Sequence, residues 1–143
     1  MIFVSVGTQL PFERLIQTVD SWAKGNSEHK VFTQIGRTAY KPRHCEYVDY
    51  LSPNQYSEKL DTCDIFVGHV GMGTIISGLE SAKPMVLMPR HENLGEHRND
   101  HQLATAKYFG TLELVTIVDS LEEFNFAVCQ RLVNSMRKPN RND

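Results

Sequence analysis

The stretch that decides the fold is residues 64–102, which read DIFVGHVGMGTIISGLESAKPMVLMPRHENLGEHRNDHQ. It begins with an apolar run at residues 65–67 and turns through three glycines into a helical segment that stops at Pro84. A second apolar run at residues 85–88 leads into a polar cluster at residues 96–102. A glycine-rich turn between a strand and a helix is typical of anion sites in α/β proteins. The stretch therefore predicts two neighbouring strand-to-helix turns that build one ligand site.

Short apolar runs alternate with amphipathic segments along the whole chain. The predicted strands are residues 2–6, 30–35, 47–51, 65–67, 85–88 and 114–118. The predicted helices are residues 12–24, 54–62, 73–82, 98–109 and 121–136, and we expect the polar end, 137–143, to fray. Ser52 followed by Pro53 is typical of a helix N-cap and first helical residue. This order predicts one Rossmann-like α/β domain over residues 1–143, a parallel sheet with helices on both faces.

Composition excludes several classes of protein. The 143 residues suit one domain, and a net charge of -2 gives no basic field for nucleic acid. Three widely spaced cysteines show neither a disulfide framework nor metal-ligand spacing, which indicates a reducing compartment. No apolar run approaches the roughly 20 residues of a membrane span, and no basic region precedes the first strand as in a signal peptide. We therefore expect a cytoplasmic protein.

Glycine-rich and polar residues follow the predicted strands, where ligands bind at the edge of a parallel sheet. Gly7-Thr8-Gln9 and Gly36 follow the first two strands, and Gly71, Gly73 and Thr74 open the helix after the fourth. The spacing of the second group is neither the dinucleotide fingerprint nor a Walker loop, because no lysine follows its glycines. Close backbone approach at a helix N-terminus suits a diphosphate. The alternative at both turns is a tight connection with no ligand.

The polar cluster admits three interpretations. His97 and His101 are four residues apart and share a helix face, and with His91 upstream they could form a zinc site, although the H-E-x-x-H order is absent. Side chains suited to sugar hydroxyls favour a sugar-binding face. Those side chains are Asn99, Asp100, His101 and Gln102. The third interpretation is a solvated helix start capped by Asn99 or Asp100.

Two further charged residues lie near these turns. Arg90 ends the fifth predicted strand and is a candidate partner for phosphate or for a sugar carboxylate, the alternative being a solvated side chain. Glu80 lies about two turns into the helix that follows the glycine turn. It could take both hydroxyls of a ribose, although a solvated helix face is the simpler interpretation.

Three stretches together resemble the C-terminal domain of family 28 glycosyltransferases. They are residues 1–12 (MIFVSVGTQLPF), 68–74 (GHVGMGT) and 95–104 (GEHRNDHQLA). The third is similar to one branch, the small catalytic subunits of bacterial exopolysaccharide and capsule glycosyltransferases, whose eukaryotic cousin adds the second N-acetylglucosamine to dolichol-linked sugar. The resemblance implies the C-terminal half of a GT-B enzyme, which binds a UDP-sugar without a metal or another cofactor.

The resemblance also implies roles for individual residues. Gly7, Thr8 and Gln9 would approach the diphosphate or the acceptor, and backbone amides at Gly71, Gly73 and Thr74 would hold the diphosphate. His101 and Gln102 match a pair that meets the donor sugar, and Gly36 with the turn at residues 50–53 matches segments near the uracil. Many relatives bind ribose through a glutamate seven residues before the helix-ending proline. Here that position is Ser77 and Glu80 follows one turn later, so both are candidates.

The resemblance covers only half of a two-domain enzyme, so it implies a partner. Relatives carry the acceptor site, and usually the base, on an N-terminal domain. We therefore expect a membrane-anchored partner subunit that supplies the base, with His69 or His101 as alternatives, and that recruits the chain to the inner face of the membrane. In isolation a homodimer could cover the partner surface.

The expected function is inverting transfer of a hexose or hexuronic acid from a UDP-sugar to a lipid-linked acceptor in surface polysaccharide synthesis. The alternatives are a non-catalytic UDP-sugar-binding module that stabilises its partner and a zinc hydrolase.

Overall fold

The computed structural model describes residues 1–137, and these form one six-stranded parallel sheet flanked by helices. The strands are β1 (Ile2–Ser5), β2 (Val31–Gln34), β3 (Glu46–Val48), β4 (Ile65–His69), β5 (Met85–Met88) and β6 (Val115–Ile117). The helices are α1 (Glu13–Gly25), α2 (Pro53–Thr62), α3 (Met72–Glu80), α4 (His101–Phe109) and α5 (Leu121–Arg137). The predicted α/β class is confirmed, and the predicted polar end lies outside the described residues beyond Arg137.

The strand order β3-β2-β1-β4-β5-β6 places β1 and β4 side by side at the centre of the sheet. Val4 pairs with Val67 across that junction, and every strand pair is parallel. Alternate residues of each strand enter two separate cores. Val4 and Val67 belong to the core that contains α1 and α5 residues, whereas Phe3 and Phe66 belong to the core of α2, α3 and α4. Helices therefore cover both faces, as predicted.

Local sequence signals explain several element ends. Ser52 caps α2 in a reciprocal capping box, because its hydroxyl accepts from the Gln55 amide while the Gln55 side chain accepts from the Ser52 amide. Helix α3 ends in a Schellman-type turn, in which the Lys83 amide donates to the Gly78 carbonyl and Ala82 adopts a left-handed φ of 52°. That turn ends the helix at Glu80, two residues before the predicted end.

Two predicted elements differ from the observed ones by three residues at one end. Strand β3 begins at Glu46 and ends at Val48, rather than covering residues 47–51. Helix α4 begins at His101, although the prediction began it at residue 98. The reason is local, since the Asn99 side chain accepts a hydrogen bond from the His101 amide and competes with helical pairing. Along the described residues, no helix combines the length and apolar character needed to cross a bilayer.

Candidate functional site

The central crevice of the sheet lies where the chain leaves β1 in one direction and β4 in the other. Such a switch point, at the carboxyl ends of parallel strands, is where open α/β sheets bind ligands. A cavity of about 230 Å³ opens there. It is lined by Val6, Gly7, Thr8, Gln9, Leu10, His69, Arg90, His97 and Gln102. The structure thus brings the turn after β1 together with residues from β4, the end of β5 and the polar cluster.

The turn after β1 is held from beneath by buried polar side chains. The Ser5 hydroxyl donates to Gln34 Oε1 at 2.8 Å, and Gln34 Nε2 donates to the Gly7 carbonyl at 3.3 Å. Gly7 has a left-handed φ of 82°, and a Cβ there would lie 3.1 Å from Nε2 of His69. Glycine is therefore required for both the turn and the approach of the imidazole. Thr8 and Gln9 follow, exposed at the mouth of the cavity.

Arg90 clamps this turn instead of reaching into solvent. Its side chain is 1% exposed and stacks on the Phe12 ring at 4.5 Å. Its guanidinium donates to three backbone carbonyls, those of Pro11 at 2.6 Å, Val6 at 2.8 Å and Leu10 at 3.2 Å. Burial lowers the pKa of Arg90 to about 10, so the group keeps its charge at neutral pH. The solvated alternative for Arg90 is wrong, and its buried charge gives the cavity a positive potential.

His69 and Gln102 form the opposite wall. The amide of Arg90 donates to Gln102 Oε1 at 3.0 Å, and Gln102 Nε2 lies 3.1 Å from Nδ1 of His69. Burial, helped by the charges of Arg90 and His97, lowers the pKa of His69 to about 4. The imidazole is therefore neutral at physiological pH and a poor proton acceptor there.

The N-terminus of α3 adjoins His69. Gly71 is the N-cap, and a Cβ on it would lie 2.5 Å from Cε1 of His69, so the ring occupies the space that a side chain would need. A Cβ on Gly73 would meet no atom within 4 Å, which leaves the first turn of α3 open. The first amides of an α-helix have no intrahelical acceptor. Thr74 is buried behind them, with its methyl group facing Gly68.

Several side chains of the polar cluster at residues 96–102 contact other parts of the protein and do not line the cavity. Glu96 accepts from Arg14 at 2.9 and 3.1 Å and from the His91 amide at 3.0 Å, so it ties its loop to α1. Asn99 holds the His101 amide, and Asp100 accepts from the Glu92 amide at 2.9 Å. Asp100 is the N-cap residue of α4 but makes no side-chain cap hydrogen bond, and Asn99 binds the first helical amide from the position before the cap. His101 itself is exposed.

The same network continues behind this loop through Arg14. His91 Nε2 is 2.8 Å from Asp119, and Arg14 also donates to that carboxylate at 2.8 Å. Within residues 1–137, no three histidine, cysteine, aspartate or glutamate side chains converge as metal ligands. Of the histidines in the zinc interpretation, His91 contacts Asp119, His97 lines the cavity and His101 is exposed.

The remaining predicted residues lie around the crevice. Gly36, with a φ of 57°, packs against the Gly7 loop, since a Cβ there would lie 2.8 Å from the Gly7 carbonyl oxygen. Ser77 is half-buried on α3, and Glu80 is exposed at the end of that helix. Neither of them lines the cavity, so both remain predictions for the ribose contact.

Sequence reasoning missed three residues of the site. Ser5 and Gln34 lie in strands that were predicted to be ordinary core. A buried glutamine beside a serine of the neighbouring strand could have indicated a polar contact that holds the turn after β1. His97 was assigned only to the zinc alternative. Its Nδ1 atom is buried without a hydrogen-bond partner among the described residues.

The model of the glycosyltransferase family 28 C-terminal domain matches residues 1–140. The chain belongs to that family. This confirms the resemblance drawn from residues 1–12, 68–74 and 95–104. The matched range includes all the residues that line the crevice.

Similar proteins place the domain within longer enzymes. Over 82 residues, the chain is 26% identical to UDP-N-acetylglucosamine–N-acetylmuramyl-(pentapeptide) pyrophosphoryl-undecaprenol N-acetylglucosamine transferase of Prochlorococcus marinus (strain MIT 9312), covering 54% of this chain and 23% of that one. A crystal structure of the glycosyltransferase of kitacinnamycin matches with a TM-score of 0.69 and 25% identity over 91% of this chain and 34% of its own. The chain thus spans about a quarter to a third of these two proteins.

ALG13, for which a solution structure is known, is closer to this chain in length than those two proteins are. It matches with a TM-score of 0.62 and 18% identity, covering 98% of this chain and 88% of its own. At that identity the match shows the fold alone. The architecture is therefore shared both by a small chain and by parts of longer glycosyltransferases.

Proposed function

We propose that this chain is the donor-binding, catalytic subunit of a two-component glycosyltransferase that uses a UDP-sugar. It would move a hexose or hexuronic acid to a lipid-linked glycosyl acceptor during surface polysaccharide synthesis. The observation that carries the proposal is the central crevice of a family 28 domain, where the Gly7 turn and neutral His69 line a cavity and the open N-terminus of α3 adjoins His69.

The crevice suits a diphosphate for three reasons. Backbone amides at the open first turn of α3 point outward, and the helix dipole adds partial positive charge there. The buried charge of Arg90 lies behind the Gly7 turn. His69 borders Gly7 and Gly71, so its imidazole can take part in a hydrogen bond to an anion without carrying a charge of its own. These groups would stabilise the diphosphate as it leaves, without a metal or other cofactor.

The reaction would be direct displacement at the anomeric carbon with inversion. The acceptor hydroxyl must lose a proton, and a general base works best with a pKa near the working pH. With a pKa of about 4, His69 is poorly suited to that task. Exposed His101 at the start of α4 is the remaining candidate in this chain, and we favour a base on a partner.

A membrane-anchored partner resembling the N-terminal domain of two-domain relatives would also hold the lipid-linked acceptor. The chain spans about a quarter to a third of the two longer relatives. The peptidoglycan enzyme among those relatives is named for a lipid-linked acceptor. Through such a partner the chain would act at the inner face of the membrane.

A glycine-to-alanine pair tests donor binding. Gly73→Ala places a methyl group in the open space at the first turn of α3, whereas Gly25→Ala places one in open space at the far end of α1. We expect Gly73→Ala to weaken UDP binding about tenfold, because a methyl there blocks close approach of phosphate to the amides. Isothermal titration with UDP, with uridine and with UDP plus EDTA measures this. Equal UDP affinity in both variants, or no UDP binding by the wild type, would overturn the donor-site proposal.

Transfer itself is tested in the complex. The complex of the chain and its membrane partner is supplied with the lipid acceptor and one UDP-sugar at a time. It should release UDP with one donor from the panel of UDP-glucose, UDP-galactose, UDP-glucuronate and UDP-N-acetylglucosamine. Thermal stabilisation of the isolated chain by the same panel should rank that sugar first. If the chain binds UDP but Gly73→Ala leaves transfer by the complex unchanged, the chain is a non-catalytic binding module.

A further inference from the structure

Gln102 occupies an unusual position for a residue expected to meet the donor sugar. It is only 7% exposed, and both ends of its side-chain amide already have partners in the protein. One end faces the backbone of Arg90 and the other faces His69. We infer that Gln102 is a positioning residue, which fixes His69 in the tautomer that carries its proton on Nε2, the nitrogen facing the Gly7 turn.

The orientation of the amide follows from Arg90. A backbone N–H can only donate, and the Arg90 amide lies 3.0 Å from Oε1 of Gln102. Turning the amide over would bring two donors face to face. The oxygen must therefore point to Arg90, which leaves the NH₂ group directed at His69.

The tautomer of His69 follows from Gln102. An NH₂ group can only donate, so Nδ1 of His69, 3.1 Å away, must offer its lone pair. A neutral imidazole with a lone pair on Nδ1 carries its proton on Nε2. The nearby charges do not favour a second proton, because Arg90 at the end of β5 and His97 in the loop before α4 both lower the pKa of His69.

The contacts from Arg90 through Gln102 to His69 matter because of where Nε2 of His69 points. A Cβ on Gly7 would be 3.1 Å from Nε2, which shows that this nitrogen faces the turn that lines the cavity. An Nε2–H there is a donor for an anionic oxygen, whereas an Nε2 lone pair would repel it. This use rests on the proposed diphosphate site, but the tautomer does not. Gln102 would thus act on the diphosphate through His69.

Gln102→Glu tests the inference with the same side-chain shape. One carboxylate oxygen can still accept from Arg90, but the other can no longer donate to His69, so Nδ1 should take up a proton. Nitrogen-15 correlation spectra of the labelled full chain should show an unprotonated Nδ1 on His69 in the wild type and a protonated Nδ1 in the variant. Gln17→Glu, on the exposed side of α1, adds the same charge and should match the wild type.

UDP titration at mildly alkaline pH completes the experiment. Gln102→Glu should bind UDP at least about tenfold more weakly than Gln17→Glu, as expected for losing a hydrogen bond to a charged group. A protonated Nδ1 in the wild type, or an unprotonated Nδ1 in Gln102→Glu, would overturn the inference. If Gln102→Glu does not fold, the wild-type spectrum and Gln102→Leu decide, since leucine should leave His69 as a mixture of tautomers. The expected spectra without UDP binding would refute the proposed function and leave the role of Gln102 intact.

Discussion

The glycine turns around the central crevice and the polar loop of residues 91–101 lie on the same edge of the sheet, yet their polar groups behave differently. In the polar loop, the amides of His91, Glu92 and His101 are each taken by a side chain of the same loop. At the glycine turns, Gly7 and Gly73 carry no side chain, and a cavity lies beside the Gly7 turn. A dense run of polar residues can thus be self-satisfied, and a ligand site forms where backbone groups are left open.

We expect the largest effect when acid is used to test the glycine turns, because the buried His69 lies beside them. The pKa of His69 is lowered to about 4, against 6.5 for an ordinary histidine, so between these values the unfolded chain binds a proton that the folded chain refuses. Stability present above pH 6.5 should therefore fall on acidification toward pH 4, by a total on the order of 3 kcal/mol. Urea unfolding across this range measures the slope. His69→Gln should flatten it, and the same change at exposed His101 should keep it; equal slopes in both variants would contradict the burial of His69.

The polar loop should matter for stability more than for ligand binding. Arg14→Met removes the partner of Glu96 and one partner of Asp119. Because the Glu96 side chain is 11% exposed, leaving it unpaired should cost about 2–3 kcal/mol in the free energy of unfolding. UDP affinity should change less than twofold. Chemical denaturation and UDP titration of Arg14→Met check both expectations, with Lys24→Met at an exposed position on α1 as the control. A large loss of UDP affinity in a folded Arg14→Met would show that the polar loop and the glycine turns belong to one binding site.

The glycine turns should show the smallest effect on stability and a large one on binding. Gly71→Ala brings a methyl group against the His69 ring, and shifting that ring should cost about 1–2 kcal/mol. Gly73→Ala meets no atom and should leave the melting temperature unchanged or raise it, since alanine favours the helix. Thermal unfolding of the two variants separates crowding from ligand exclusion. A similar loss of stability in both would show that the first turn of α3 is closed.

Much of the fold was predictable because its signals are local. The Ser52–Pro53 start of α2 and the alternation of apolar runs with amphipathic segments need only a few neighbouring residues to act. The late start of α4 was missed, because the Asn99 side chain had to be recognised as a competitor of the helix. The early end of α3 depends on Ala82 in a left-handed conformation, which alanine rarely adopts.

The site was predictable only as a set of turns. Gly7, Gly71 and Gly73 were named because glycine next to a strand end signals a backbone requirement. The role of Arg90 could not be read in the same way, since its partners Val6, Leu10 and Pro11 are about eighty residues earlier in the chain. Ser5 and Gln34 have the same difficulty, because their contact exists only once β1 and β2 pair.

By itself, the sequence determined the parallel α/β architecture and the turns at the strand ends, because periodicity and glycine placement act over short distances. The family followed from the resemblance of three short stretches. Only the tertiary structure decided which polar residues stay open to a ligand. That choice depends on which partners become buried beside each group. Within the cluster, Glu96, Asn99 and Asp100 bind nearby backbone or Arg14, whereas Gln102 contacts His69 at the wall of the crevice.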